Sequence, residues 1–179
     1  TTAELFYTCG STGTPKGVML SHRTLYLHAL SVATCYQDPA TAVDLHTIPL
    51  FHANGWGRPQ TSTMLGIKQV MVRRFDPPAV LQLIQQHRAT DMSLVPTMAN
   101  ALINVPNFGS FDLSSMRNIM IGGAASSPEL IARMDEGFRC NCVPGFGRSE
   151  TAPVLTTANR KPGMEFASEE DRLRRSSMA

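Results

Sequence analysis

Tyr7-Thr8-Cys9-Gly10-Ser11-Thr12-Gly13-Thr14-Pro15-Lys16-Gly17 sets a glycine- and hydroxyl-rich turn directly after the apolar run Leu5-Phe6-Tyr7. Glycines let a backbone approach a ligand closely and adopt positive φ. Loop N–H groups and Ser/Thr hydroxyls donate to phosphate oxygens, and a lysine adds a compact positive charge. A Walker-type loop places Gly-Lys-Ser/Thr at the start of a helix. Here Pro15 precedes Lys16, and Gly17-Val18-Met19-Leu20 reads as a second short strand. The turn is therefore expected to join two strands, with no helix N-terminus facing the phosphates. A plain flexible turn can have similar composition. The unbroken run of polar and glycine positions, closed by a rigid proline and a lysine, favours a polyphosphate cradle.

Outward from this loop, apolar strands alternate with amphipathic helices. Strands are expected at Glu4 to Thr8, Val18 to Leu20, Asp44 to Ile48, Ile67 to Val72, Met92 to Val95, Asn118 to Ile121, Cys140 to Val143 and Val154 to Thr156. Ser21 reads as the N-cap of a helix reaching about Cys35. Further helices are expected at Trp56 to Leu65, with Pro59 in the first turn, at Pro77 to His87, from Pro96 to about Ile103, and at Pro128 to Phe138. Strands separated by helices predict an α/β fold with a mostly parallel sheet flanked by helices. In such sheets ligands bind at the carboxyl ends of strands. The segments 8–17, 49–56, 122–126 and 144–151 all follow strands, so they can converge on one edge. The tail from Ala167 to Ala179 is dense in charge and reads as a solvated helix or a frayed end.

The 179 residues are enough for one domain that buries a sizeable core, and 42% apolar with 17% charged residues describes a globular chain. A net charge of +2 is too small to argue for nucleic acid or an anionic membrane as the main partner. No stretch is apolar and long enough for a transmembrane span, and no signal peptide opens the sequence. Cys9, Cys35, Cys140 and Cys142 lack paired metal-ligand spacing. They read as buried strand thiols in a reducing, cytoplasmic setting.

Two more motifs follow the glycine-rich loop in order. Pro49-Leu50-Phe51-His52-Ala53-Asn54-Gly55-Trp56 lies between it and Pro144-Gly145-Phe146-Gly147-Arg148-Ser149-Glu150-Thr151. The three together resemble the adenylate-forming superfamily of acyl-CoA synthetases, luciferases and peptide-synthetase adenylation domains. Tyr7 to Gly17 is similar to its phosphate-loop motif, residues 144–151 to its Tyr-Gly-x-Thr-Glu motif, and residues 49–56 to its Phe-His segment. The Phe-His-x-Asn-x-Trp form most resembles medium- and long-chain fatty acyl-CoA synthetases. The resemblance covers about residues 4 to 160 and implies a partial AMP-binding domain over 1–163, a charged tail over 164–179, and a missing C-terminal lid domain.

The resemblance implies ATP-dependent activation of a carboxylic acid, with a fatty acid as the expected class, to an acyl-adenylate. Coenzyme A then takes the acyl group, and Mg²⁺ assists. Lys16, His52 and Glu150 are the implied catalytic residues. Thr8, Gly10, Ser11, Thr12, Gly13, Thr14 and Lys16 would hold phosphates; Gly123, Ala124, Gly145, Phe146, Gly147 and Ser149 would line the rest of the nucleotide. His52, Trp56 and Gly122 are the implied acid-binding positions, and Thr8 and Glu150 the metal-binding ones. A lone His is also commonly a structural hydrogen-bonder, and Trp56 and Phe146 could be core aromatics. The sequence departs from the family pattern at Cys9, where Ser or Thr is usual, at Phe146, where Tyr is usual, and at Ser149, where Thr is usual. The resemblance implies that the lysine of the lid domain lies outside this sequence, so the fragment is expected to turn over negligibly alone and to self-associate through apolar faces. A non-catalytic nucleotide-binding module and an amino-acid-activating adenylation domain feeding a carrier protein remain alternatives.

Overall fold

The structure is a computed structural model describing residues 1–8, 13–159 and 163–176, without the side chains of residues 169, 173, 175 and 176. β1 (Thr2–Thr8) and β2 (Lys16–Ser21) pair antiparallel as a separate two-stranded sheet. The phosphate-loop motif therefore does join two strands. Cys9, Gly10, Ser11 and Thr12 lie outside the described residues. Leu5 pairs with Met19 across this hairpin and both are exposed, giving it an apolar outer face.

The main sheet has the order β4-β3-β5-β6-β7-β8. β3 (Val43–His46), β4 (Lys68–Met71), β5 (Asp91–Leu94), β6 (Asn118–Ile121) and β7 (Asn141–Gly147) run parallel. β8 (Val154–Thr157) is antiparallel to β7. The six residues between β7 and β8 are too few for a crossover, which a parallel neighbour would need.

Side chains alternate across each strand. Leu45, Met92, Leu94, Ile119, Ile121 and Cys142 face one way, into the main core with α4 (Pro77–His87), α5 (Pro96–Ile103) and α6 (Pro128–Phe138). Each of these helices begins with a proline in its first turn, where the missing N–H costs no helical bond. Asp76 and Ser127 cap α4 and α6 by accepting from Ala79 N at 3.0 Å and Leu130 N at 3.2 Å. Leu130, Ile131, Met134 and Phe138 form the buried face of α6, as the periodicity predicts.

The opposite sheet face carries α1 (His22–Ala33) and α3 (Arg58–Leu65). Ser21 caps α1 through its Oγ, which accepts from Thr24 N at 3.1 Å. This second layer has little apolar core, chiefly Val32, Tyr36, Ala42 and Ile67, and a buried polar layer beside it.

Several boundaries differ from expectation. The helix expected over Trp56 to Leu65 begins two residues later, as α3, because the short turn α2 (Ala53–Trp56) and Gly57 before it have positive φ. Pro59 does sit in the first turn of α3. β7 continues through Gly147, so Gly145, Phe146 and Gly147 are strand residues held by β8 rather than a loop. Cys142 is a buried strand thiol, whereas Cys35 follows α1 and Cys140 precedes β7, both half-buried. The charged tail is not simply solvated: α7 (Glu169–Ser176) packs against α6, with Arg172 Nη1 3.6 Å from Asp135 Oδ2.

Candidate functional site

The carboxyl ends of β3, β5, β6 and β7 open into a cleft of about 500 Å³. One side is apolar, formed by Ile48, Val95, Met98 and Met120. The other is formed by the end of β7 and the turn after it, with Phe146, Arg148 and Ser149. Three of the four expected loops thus meet here. His52, Trp56, Gly122, Gly123, Gly145, Phe146, Gly147 and Ser149 all line it. Phe146 is 48% exposed, so its ring faces the cleft and is not a core aromatic. His52 is exposed at the start of α2, its ring 4.7 Å from that of Phe51.

Trp56 lies across the Gly122-Gly123 turn. A Cβ at Gly122 would fall 3.3 Å from Trp56 Cη2 and 2.8 Å from the Gly145 carbonyl oxygen. A Cβ at Gly123 would fall 3.4 Å from Trp56 Cζ2, and the φ of Gly123 is +80°. Any larger residue would lift the indole, so the two glycines and Trp56 form one packed unit. Sequence reading left Trp56 between an acid-binding position and a core aromatic; here it is a wall of the cleft with its ring edge on the turn.

The backbone that presents Trp56 is unusual. Ala53, Asn54, Gly55, Trp56 and Gly57 all have positive φ, from 37° to 71°. For L-residues the left-handed region costs roughly 1–2 kcal/mol each, less for Asn. Neighbouring contacts must hold such a turn. Asn54 Nδ2 donates to Glu4 Oε1 on β1, which fastens the hairpin to this turn. The Gly57 carbonyl accepts from Thr61 N at 3.2 Å and from Thr61 Oγ1 at 2.9 Å. The His28 ring lies directly against Gly57. His28 Nε2 accepts from Val154 N at 3.1 Å, so one buried imidazole links α1, this turn and β8. Burial lowers its pKa, in keeping with a neutral acceptor.

Directly after Gly57, Arg58 enters the buried polar layer. Its Nε and Nη2 donate to Asp44 Oδ1 at 3.1 and 2.7 Å. Asp44 Oδ2 also accepts from Tyr36 OH at 2.6 Å and Ser62 Oγ at 2.8 Å. The guanidinium carbon sits 4.9 Å from the Tyr36 ring centroid. Burial alone would raise the pKa of Asp44, but the charge and hydrogen bonds of Arg58 outweigh it and hold the carboxylate ionised below its usual range. Burial raises the Tyr36 phenol, keeping it a donor. His46 Nε2 lies 3.9 Å from Asp44 Oδ2; burial is the chief cause of its lowered pKa. Asp91, the β5 neighbour of Asp44, is satisfied by Thr90 Oγ1 at 2.6 Å and Asn118 Nδ2 at 3.2 Å. Sequence reasoning missed this network and His28. The only signal was an aspartate in each of two short, buried strands.

The remaining predicted residues that the structure describes are not part of the cleft lining. Glu150 is on the short 3-10 turn Ser149–Thr151, with its Oε2 4.0 Å from Arg148 Nε. β2 packs beside that turn, so the strand that starts at Lys16 and the turn that carries Glu150 are neighbours. Thr8 Oγ1 donates to the Lys16 carbonyl oxygen at 3.5 Å across the base of the hairpin. Gly13, Thr14, Lys16 and Ala124 are exposed. Among the described residues no group of three or more His, Cys, Asp or Glu side chains could hold a metal. A lone carboxylate such as that of Glu150 fits a hydrated Mg²⁺ that completes its shell with substrate phosphates and water. No helix in the described residues is long and apolar enough to cross a membrane.

The model of the family described as AMP-binding enzyme matches residues 1–176. The chain belongs to the AMP-binding enzyme family. The long-chain-fatty-acid–CoA ligase of Thermus thermophilus is 36% identical over 170 residues, covering 93% of this chain and 31% of that protein. Among solved family members, the inhibitor-bound N-terminal domain of FACL13 from Mycobacterium tuberculosis superposes with a TM-score of 0.82 at 27% identity, over 96% of this chain and 41% of that one. The o-succinylbenzoate coenzyme A synthetase of Bacillus subtilis, in complex with ATP and magnesium ion, gives 0.74 at 29% identity over 86% of this chain and 31% of that one. The chain spans under a third of the length of the first curated relatives it matches.

Proposed function

We propose that this chain forms part of the nucleotide and acid site of an AMP-forming acid–thiol ligase, which activates an apolar carboxylic acid with ATP and passes the acyl group to coenzyme A. The observation that carries the reading is one cleft that joins an apolar wall to the glycine-lined end of β7, with the turn that follows β7 packed beside the strand β2. Family membership supports the reaction class. The B. subtilis relative's complex with ATP and magnesium supports the choice of nucleotide.

In the first step a carboxylate oxygen attacks the α-phosphorus of ATP. The bond from that phosphorus to the bridging α,β oxygen breaks, and pyrophosphate leaves. Two anions must approach one another, so positioned donors and cations lower the barrier. Lys16 and the donors of Thr8, Ser11, Thr12 and Thr14 would hold the β- and γ-phosphates. Ser149 would donate to the α-phosphate. The faces of Phe146 and the Gly122-Gly123-Ala124 turn would enclose the base, with Gly145 and Gly147 beside Phe146 on the same strand. His52, whose side chain faces the cleft, would orient the carboxylate as a donor; a carboxylate nucleophile needs no base. Glu150 and Thr8 would hold Mg²⁺, which when bound neutralises phosphate charge. In the second step the thiolate of coenzyme A attacks the acyl carbon, and AMP leaves.

An apolar acid is favoured over a charged amino acid because Ile48, Val95, Met98, Met120 and Trp56 offer no counter-charge. ATP–pyrophosphate exchange by the protein that carries this sequence, over a panel of fatty, aryl and amino acids, tests the reading. Exchange that depends on an apolar acid supports it. Exchange with amino acids alone, or none with any acid, overturns it.

A further inference from the structure

Trp56 is the single tryptophan of the chain and forms a wall of the cleft, yet the backbone carrying it is left-handed over five consecutive residues. Such a turn does not hold itself. Its amino side is fastened by Asn54 to Glu4, and its last residue, Gly57, rests on His28. Its carboxyl side is fixed two residues past Trp56 by a forked ion pair whose side chains are 6% and 0% exposed.

We infer that Asp44, through its two-point grip on Arg58, is a positioning residue that holds the Trp56 ring on the Gly122-Gly123 turn and so shapes the acid side of the cleft. Four features support this. Asp44 lies on β3, whose far end leads to His52, so one strand sets both the anchor and the start of the segment it anchors. The guanidinium fork is planar and directional, which fixes the orientation of Arg58 as well as its depth. Tyr36 and Ser62 donate to the same carboxylate and keep it from rotating. The cleft also tolerates little movement at its far end, since the Trp56 ring lies so close to both glycines that a Cβ on either would meet it at 3.3–3.4 Å. A small rotation about Arg58 is therefore transmitted to the indole. The link to acid binding rests on the acid-activating reading above, but the geometric claim does not.

The test uses fluorescence of Trp56 in the chain without ligand, well below the melting transition, together with far-UV circular dichroism. Arg58→Lys keeps the charge and loses the fork; Asp44→Asn keeps the shape and loses the charge. Both should retain wild-type dichroism while emission shifts to the red and acrylamide quenching rises. Asp44→Glu combined with Arg58→Lys should move both signals back toward wild type. Tyr36→Phe, which removes one donor and leaves the ion pair, should give a smaller shift in the same direction, and it decides the matter if the stronger variants do not fold. Arg88→Ala, which breaks the exposed pair with Asp112 elsewhere, should leave emission unchanged. Folded variants that melt earlier but keep wild-type emission and quenching would show a merely structural network and overturn the proposal. A titration with AMP separates the two readings: normal pinning with no response to AMP counts against the adenylating function alone.

Discussion

Gly57→Ala is the substitution for which the geometry gives the sharpest expectation. A methyl at this position would lie 2.5 Å from both Cε1 and Nδ1 of His28, and the backbone sits at a φ of +71°. The positive φ costs an L-residue roughly 1–2 kcal/mol. Relieving the overlap requires the buried imidazole to move, an overpacking cost of about 1–3 kcal/mol. A smaller unfolded-state entropy returns about 0.4–1 kcal/mol. The net expectation is a loss of roughly 1–4.5 kcal/mol, or about 2–18 °C in Tm for a chain of this size. Displacing the ring also weakens the bond from Val154 N to His28 Nε2, so the start of β8 should lose protection in amide exchange. Thermal and urea unfolding of Gly57→Ala, His28→Ala and the double variant provide the assay. In the His28→Ala background the methyl meets no ring, and its cost should fall by at least about 1 kcal/mol, a coupling that only direct contact produces. Equal costs in both backgrounds would refute the argument.

Other expectations follow from burial and charge. His28 and His46 have folded pKa values below their ordinary 6.5, so the unfolded chain binds more protons than the native one as pH falls through 6.5. Their contribution is full above that pH and is lost below it; urea midpoints should drop on acidification, and less so in His28→Gln. Gly123→Val should leave the sheet intact but displace Trp56, which near-UV dichroism and a weakened AMP titration would report. Ile131→Ala, fully buried on α6, should cost about 2–5 kcal/mol by urea unfolding. Arg88→Ala should cost under about 1 kcal/mol, because an exposed ion pair contributes little.

The elements that were legible in the sequence carry their own punctuation. α4, α5 and α6 start at Pro77, Pro96 and Pro128, and their apolar faces repeat at helical spacing. β6 matches its expected span because Gly122-Gly123 ends it. Gly145-Phe146-Gly147 has weak strand propensity, and its strand character comes from pairing with β8, a partner outside local reach. The left-handed path of 53–57 was hidden for a similar reason. Ala53 and Trp56 favour right-handed backbone, and the contacts that oppose them come from β1, α1 and β3. Asp44 and Arg58 are 14 residues apart on different elements, so nothing local marks them as partners. Of the site, the loops at strand ends were readable, and the anchors beneath them were not.

The account rests on one ligand meeting both Lys16, the first residue of β2, and Glu150, on the turn that packs against that strand. Calorimetric titration of Mg·ATP into the wild-type protein, Lys16→Ala, Glu150→Gln and the double variant tests this most directly. Each single variant should bind Mg·ATP more weakly, the Glu150→Gln loss should vanish when Mg²⁺ is chelated, and the two losses should be non-additive. Wild-type affinity in both single variants would contradict it.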